Sequence, residues 1–265
     1  MQSKGLITIV IVIVIIVIGL VFWYTQTGEE TITNTNTNTT TNNNTVANTN
    51  ATTTGYMDID ADAAYDLTGT ILDLVILDVS PNFESGHIVN AVNYYVGDGS
   101  LDAAIPTLDE VKSYLVYCHV DSASISGAQK LIEAGFPNVY RLVGNYAAWE
   151  NAGYPISIPL DAVGTVSGDA RADVSYFNGT FTHAVMADIP EPAEGKFYEG
   201  WLVQGTDFFS TGRLENVGGD EAVYYTLLYT ATEDQRAYNE VVITEETESA
   251  GLDDNPETHI FEGTF

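Results

Sequence analysis

Cationic side chains are scarce in this sequence of 265 residues. Lysine and arginine together number 8, against 37 aspartates and glutamates, which gives a formal net charge of -29. A surface of this sign repels phosphate backbones, so we expect no nucleic-acid partner. The excess of carboxylates is typical of a solvated surface that keeps a protein soluble.

Cysteine is almost missing, since Cys118 is the only one in the chain. A single cysteine excludes an intrachain disulfide and a cysteine-rich zinc cluster, and we predict no metal and no cofactor. Cys118 is therefore free to react. It ends the apolar run SYLVYC at residues 113–118, where a predicted strand turns into a helix.

Residues 6–24 lack any charged side chain and read LITIVIVIVIIVIGLVFWY. A helix needs about 20 apolar residues to cross a membrane, so we predict that residues 1–24 form an uncleaved signal anchor. Lys4 precedes the run and Glu29 and Glu30 follow it. The positive-inside rule then predicts a single-pass protein of the cell membrane whose later residues lie outside the cytoplasm. A second interpretation is that SKG marks a prepilin-type processing site.

Residues 25–54 lack apolar side chains almost entirely and consist mainly of threonine and asparagine. Such a segment cannot bury enough surface to offset its ordering entropy, so we predict a disordered linker. Two folded domains are predicted beyond it, at residues 55–160 and 164–265.

The first of these domains alternates short apolar runs with a helical pattern. Strands are predicted in LVILDVS, AVNYYV, SYLVYC and NVYRL, and a helix at residues 124–135, with Ser124 capping its start and Gly135 ending it. This alternation predicts an α/β domain with a parallel sheet covered by helices.

Ligands of parallel sheets bind at the carboxyl ends of the strands, which is where Cys118 lies. Asp78 ends its own strand at the same edge, and we predict that it supports the loop. His119 is a candidate thiolate partner. Backbone amides at the start of a helix favour an anion. The predicted amide cradle comprises His119, Val120, Asp121, Ser122, Ala123 and Ser124.

Several separated segments of this domain resemble the rhodanese domain. They are VILDVS, NFESGHIVNAVNYY, YLVYCHVDSAS and LIEAGFPNVYRLVGNYAAWENAGYPI, in the order and spacing of that family. The resemblance covers about residues 55–160. It implies that Cys118 accepts a sulfane sulfur as a persulfide and passes it to a thiol or cyanide.

Two features depart from the rhodanese pattern. Ala123 and Ser80 occupy positions where the family often has arginine, so the loop itself contains no cation. Asp121 stands where glycine is common, and we expect its charge to raise the pKa of the thiol. Thiosulfate, a dianion, is then a poorer substrate than a persulfide of lower charge, and the lack of an arginine fork disfavours phosphatase chemistry.

The second domain lacks helical periodicity. Alternating segments around Asn178 and Gly179, followed by KFYEGWLVQG, VYYTLLYTA and NEVVITEE, predict an all-β antiparallel sandwich. The segments IPEPAEGKFYEGWLV and VVITEE are similar to the extracytoplasmic domain of RskA-like anti-sigma factors. That resemblance, over about residues 164–265, implies a β-sandwich outside the membrane, and we predict a protein partner for it.

The leading hypothesis is a membrane-anchored, extracytoplasmic sulfurtransferase that uses Cys118 as a persulfide carrier, with a small sulfane-sulfur donor and a thiol acceptor. One alternative is a catalytically inactive rhodanese scaffold that acts as a surface binding protein. Another is a redox sensor in which an exposed Cys118 is reversibly oxidised or pairs between chains.

Overall fold

The computed structural model describes residues 55–218 and 224–265, which belong to one compact unit. The predicted membrane anchor and linker lie outside these residues. Among the residues described, no helix is both long enough and apolar enough to cross a membrane.

A five-stranded parallel sheet forms the first part of the fold. Its strand order is β1-β6-β5-β2-β4, and all four pairings are parallel. The strands are β1 (Met57–Ile59), β2 (Val75–Asp78), β4 (Val92–Asn93), β5 (Tyr114–Tyr117) and β6 (Val139–Leu142). The prediction of a parallel α/β sheet is confirmed, whereas β1 was not predicted.

Four α-helices accompany this sheet. They are α1 (Ala61–Thr70), α2 (Ser100–Ala104), α3 (Asp121–Glu133) and α4 (Asn145–Asn151). Asp60 caps α1 by accepting a hydrogen bond from the Ala63 N–H at 2.9 Å. Ala128 and Leu131 of α3 are fully buried, and Gly135 has a φ of 98° just after the helix. The left-handed conformation of Gly135 explains why α3 stops there.

Ten strands form a large antiparallel sheet. Its order is β11-β10-β14-β15-β7-β8-β9-β13-β12, with β3 also paired to β7. The strands are β3 (His87–Ile88), β7 (Ile156–Ala162), β8 (Asp169–Phe177), β9 (Thr180–Asp188), β10 (Lys196–Gln204), β11 (Asp207–Arg213), β12 (Glu215–Asn216), β13 (Tyr225–Ala231), β14 (Glu240–Thr247) and β15 (Thr258–Thr264).

The β8-β9 hairpin turns at the dipeptide that the sequence singles out. Asn178 and Gly179 have φ values of 51° and 72°, as a two-residue type I′ turn requires. Asparagine and glycine tolerate this conformation better than other residues do. The predicted hairpin is confirmed.

The two sheets share one apolar core. Trp149 of α4, Phe181 of β9 and Val241 of β14 belong to the same buried cluster. Close to the junction, the Tyr176 N–H donates to the Gly153 carbonyl at 2.9 Å. A Cβ atom on Gly153 would lie 2.0 Å from the Tyr176 carbonyl oxygen, so only glycine permits this approach.

Candidate functional site

Cys118 directly follows β5, and its side chain is fully buried. Its N–H donates to Asn145 Oδ1 at 3.2 Å, and its carbonyl oxygen accepts the Tyr146 N–H at 3.0 Å. Both partners belong to the first turn of α4. The start of that helix therefore holds the peptide groups on both sides of the cysteine and fixes the sulfur at the carboxyl edge of the parallel sheet.

Opposing influences set the pKa of the Cys118 thiol. Burial is the largest and raises the pKa, whereas the backbone N–H groups of Val120 and His119 lower it. The negative charge of Asp78 adds to the rise, and the net pKa lies above that of a free thiol. The resting side chain is therefore a neutral thiol at pH 7, and a reaction must supply a base or stabilise the thiolate.

The loop after Cys118 is shorter than predicted, because α3 begins at Asp121 and not after Ser124. The buried Ser124 lies inside the first turn, where its Oγ donates to the Asp121 carbonyl at 3.0 Å and its N–H donates to the Val120 carbonyl at 3.4 Å. The amide of Ser124 is thus used within the helix. Ser122 and Ala123 also lie in the first turn of α3, and the N–H groups that lower the pKa of Cys118 are those of His119 and Val120.

A cation does reach this loop, although it comes from a distant part of the sequence. Arg141 of β6 has a buried side chain that donates to both carboxylate oxygens of Asp58, at 2.7 and 2.8 Å. Its Nη1 donates to Asp121 Oδ1 at 2.5 Å. The expectation for Asp121 is therefore wrong, because Arg141 pairs with its carboxylate and Asp78 is the carboxylate that raises the pKa of Cys118.

Asn145 links this ion pair to the cysteine. Its Oδ1 accepts the Cys118 N–H, and its Nδ2 donates to Asp121 Oδ1 at 3.3 Å. Its φ of 59° is left-handed, a conformation that asparagine adopts more readily than most residues. Asn145 is 5% exposed, so its hydrogen bonds are shielded from water.

Asp78 lies at the end of β2, as predicted, and is fully buried. Its Oδ1 accepts the Ser80 N–H at 2.8 Å, while Oδ2 has no hydrogen-bond partner among the described residues. Burial is the main cause that raises the pKa of Asp78. Hydrogen bonds from Ser80 and the charge of the nearby His119 lower the pKa. Asp78 supports the turn that follows β2 and places a carboxylate next to the loop.

His119 lies between Asp78 and α4. Its Nε2 is 3.9 Å from Asp78 Oδ2, just beyond hydrogen-bond distance, and its ring stacks on Tyr146 with centroids 4.5 Å apart. His119 thus places an imidazole beside the Asp78 carboxylate, on the residue that follows the cysteine. The structure thus brings Cys118, His119 and Asp78 to one edge of the sheet.

Comparison with known proteins places this site in a family. Residues 60–152 match the model of the rhodanese-like domain. Over 87 residues the chain is 38% identical to the thiosulfate sulfurtransferase GlpE of Coxiella burnetii, which covers 32% of this chain and 78% of that protein. This chain belongs to the rhodanese-like family.

Two further relatives match a similar share of this chain. The thiosulfate sulfurtransferase GlpE of Shewanella oneidensis is 35% identical over 71 residues, which cover 27% of this chain and 68% of that protein. The solution structure of a rhodanese-like domain from Anabaena sp. is 28% identical, with a TM-score of 0.35, and the match covers 37% of this chain and 76% of that one. Residues 60–152, which match the family model, include Cys118.

Sequence reasoning missed Arg141 and Asn145 as members of the site. Arg141 is the one charged residue in the strand VYRL, and a cation in a short buried strand signals a carboxylate partner. Asn145 carries no such signal, because the polar residue after Gly144 is also typical of an ordinary helix start. Among the described residues, no cluster of histidine, cysteine and carboxylates is suited to hold a metal ion.

Proposed function

We propose that the rhodanese-like domain is a sulfurtransferase in which Cys118 carries sulfane sulfur as a persulfide. The observation that supports this most directly is the geometry of the sulfur. It lies at the carboxyl end of a parallel strand, where the backbone N–H groups of His119 and Val120 lower the pKa of the thiol. These donors stabilise a negative sulfur, as a thiolate or as a persulfide, in a place where burial opposes it.

Each transfer is balanced without an external oxidant. The Cys118 thiol gives its proton to His119, and the thiolate attacks the outer sulfur of a donor persulfide. The sulfur–sulfur bond of the donor breaks, the donor leaves as a thiolate that takes up the proton, and Cys118 holds the transferred sulfur. An acceptor thiolate then attacks this outer sulfur, and the Cys118 thiolate returns.

The charges around Cys118 favour a donor of low charge. Asp58 and Asp121 together outweigh the single Arg141, and Asp78 adds a buried carboxyl group. Ser80 and Ala123 supply no cation. A thiosulfate dianion meets repulsion here, so we propose that a persulfide or polysulfide of lower charge is the better donor.

The test is to measure sulfur loading of the reduced protein by mass spectrometry after exposure to thiosulfate, glutathione persulfide and inorganic polysulfide. We expect the peptide that contains Cys118 to gain the mass of one sulfur atom, fastest with the two persulfide donors. Cys118→Ser is the matched control, since it removes the only thiol of the chain, and it should gain nothing. Failure of all three donors to load the wild-type protein would refute the proposal.

One observation favours a second candidate, a scaffold without catalytic activity. The Cys118 side chain is 0% exposed and burial raises its pKa, as expected for an inert structural thiol. Under this alternative, the reduced protein gains no sulfur from any of the three donors. Loading of Cys118 by any one of them contradicts the alternative.

We also propose that residues 1–24 anchor the protein in the cell membrane, with the rest of the chain outside the cytoplasm. The uncharged run at residues 6–24 and the charges around it support this orientation. We propose a protein-binding role for the β-rich half, on the basis of its likeness to the β-sandwich of RskA-like anti-sigma factors. Protease added to intact cells should digest the protein, and the chain should sediment with membranes.

A further inference from the structure

Three side chains outside the cysteine loop form a continuous set of contacts with it. Arg141 on β6 pairs with Asp121 at the first position of α3, and Asn145 on α4 bonds both Asp121 and the Cys118 N–H. The three residues come from three different elements, and their contacts end at the peptide group of the reactive residue.

We propose that Arg141, Asp121 and Asn145 are positioning residues that hold the Cys118 loop, with Arg141 neutralising the Asp121 carboxylate at the start of α3. This inference rests on the proposed sulfur transfer for its purpose, although the contacts themselves do not depend on it.

The burial of Arg141 is the first reason. The Arg141 side chain is only 7% exposed, so its guanidinium needs partners that compensate for the lost hydration. The carboxylates of Asp58 and Asp121 provide them, and their side chains are 50% and 63% exposed. Asp58 takes Nε and Nη2 in a bidentate pair, which fixes the plane of the guanidinium. Nη1 is then directed at Asp121, so the position of the first residue of α3 follows from that of a buried strand.

The second reason is the conformation of Asn145. A left-handed residue at the first position of a helix is uncommon unless its side chain is used, and here both of its polar ends are occupied. Together with the Tyr146 N–H on the Cys118 carbonyl, Asn145 prevents the peptide groups around the cysteine from rotating. The sulfur is held in place without any contact from these side chains to the sulfur itself.

The charged and titratable groups that face the Cys118 region come from every neighbouring element. Asp78 extends from the end of β2, His119 from the loop, Tyr146 from α4, and Asp121 and Arg141 from α3 and β6. Loss of the arginine leaves Asp121 and Asp58 without a cation, so the region becomes more negative. A more negative surrounding disfavours the thiolate.

The test measures the rate of alkylation of Cys118 by iodoacetamide as a function of pH in the full chain, so it does not depend on sulfur transfer. For Arg141→Gln we expect the pKa of Cys118 to rise and the rate at pH 7 to fall about three- to tenfold. Adding Asp121→Asn to this variant should restore most of the rate. Lys130→Gln is the control, because it removes a cation from the same helix where Lys130 pairs with Asp102 on the protein surface.

A second variant keeps the test decisive if Arg141→Gln does not fold. Asn145→Gly accepts the left-handed backbone without strain and removes both side-chain hydrogen bonds. We expect a lower limiting alkylation rate and a lower kcat for persulfide loading, with KM for the donor nearly unchanged, because the sulfur is less well placed.

The positioning role is overturned if Asn145→Gly and Arg141→Gln, where folded, alkylate as Lys130→Gln does. It is also overturned if Asp121→Asn fails to restore the rate of Arg141→Gln. If these shifts appear while no donor loads sulfur, the positioning role stands and the proposed function fails.

Discussion

The parallel sheet and the antiparallel sheet place their buried polar groups in different surroundings. Asp78 and Cys118 lie where strands of four residues end, so loop amides and side chains from other elements surround them. His183 lies in the middle of a nine-residue strand, opposite Val174 and Tyr229, and neither ring nitrogen has a hydrogen-bond partner among the described residues. Reactive geometry arises where strands end, because only there are amides free to meet a side chain.

Both sheets pack against one buried apolar cluster, and a substitution in that cluster should have the largest effect on stability. Trp149→Ala should destabilise the protein by about 3–5 kcal/mol, since the indole is 2% exposed and packs in the shared cluster. Because the cluster includes residues of both sheets, we expect one transition that moves as a whole. Denaturant unfolding followed by tryptophan fluorescence, to which Trp201 on β10 contributes in both proteins, and by far-UV circular dichroism measures this.

Leu72→Ala is the control for this prediction, because the Leu72 side chain is fully exposed and its loss should change little. Two separate transitions, with that of the antiparallel sheet unmoved by Trp149→Ala, would show that the sheets unfold independently. The contrast between them would then be one between two autonomous domains.

The second prediction concerns how acid changes the stability of the protein through His183 of the antiparallel sheet. Burial lowers the pKa of His183 from 6.5 to about 4, so the unfolded chain binds a proton that the folded chain excludes. The contribution of His183 to the free energy of unfolding is complete above about pH 6.5. It is lost as the pH falls towards 4, a change of about 3 kcal/mol. The measurement is the free energy of unfolding between pH 7 and pH 4, in the wild type and in His183→Leu.

The buried carboxyl groups of Asp78, Asp173 and Glu199 have raised pKa values and affect stability in the opposite direction. They are present in both proteins, so their effect cancels in the difference. An equal pH dependence for the two proteins would contradict the prediction for His183.

The smallest expected effect concerns the pKa of the Cys118 thiol. Asp78→Asn keeps an acceptor for the Ser80 N–H and removes the carboxylate that raises the pKa of Cys118. We expect a lower thiol pKa and faster alkylation by iodoacetamide at pH 7. Asp102→Asn, which removes an exposed carboxylate from α2, should leave the rate unchanged. A rate for Asp78→Asn equal to that of the control would mean that burial alone sets this pKa.

Much of the fold was predictable because its signals are local. The runs that became β2, β5 and β6 are short and apolar, and Asn178-Gly179 requires only its own backbone to form a hairpin turn. The start of α3 was missed since Ser124 and Asp121 are both acceptable near a helix start. In the structure α3 starts at Asp121, which Arg141 of β6 contacts from a distant part of the chain.

In the candidate site, too, local sequence signals identify some residues, and contacts between distant parts of the chain determine the others. The sequence alone determined the candidate nucleophile, since it contains a single cysteine at a strand end, and it determined the neighbours His119 and Asp78 through chain order and strand direction. Only the tertiary structure decided how Asp121 is neutralised, because Arg141 is 20 residues away along the chain and reaches it across paired strands. A charge acts on whatever lies within a few ångströms of it, and packing alone determines which residues those are.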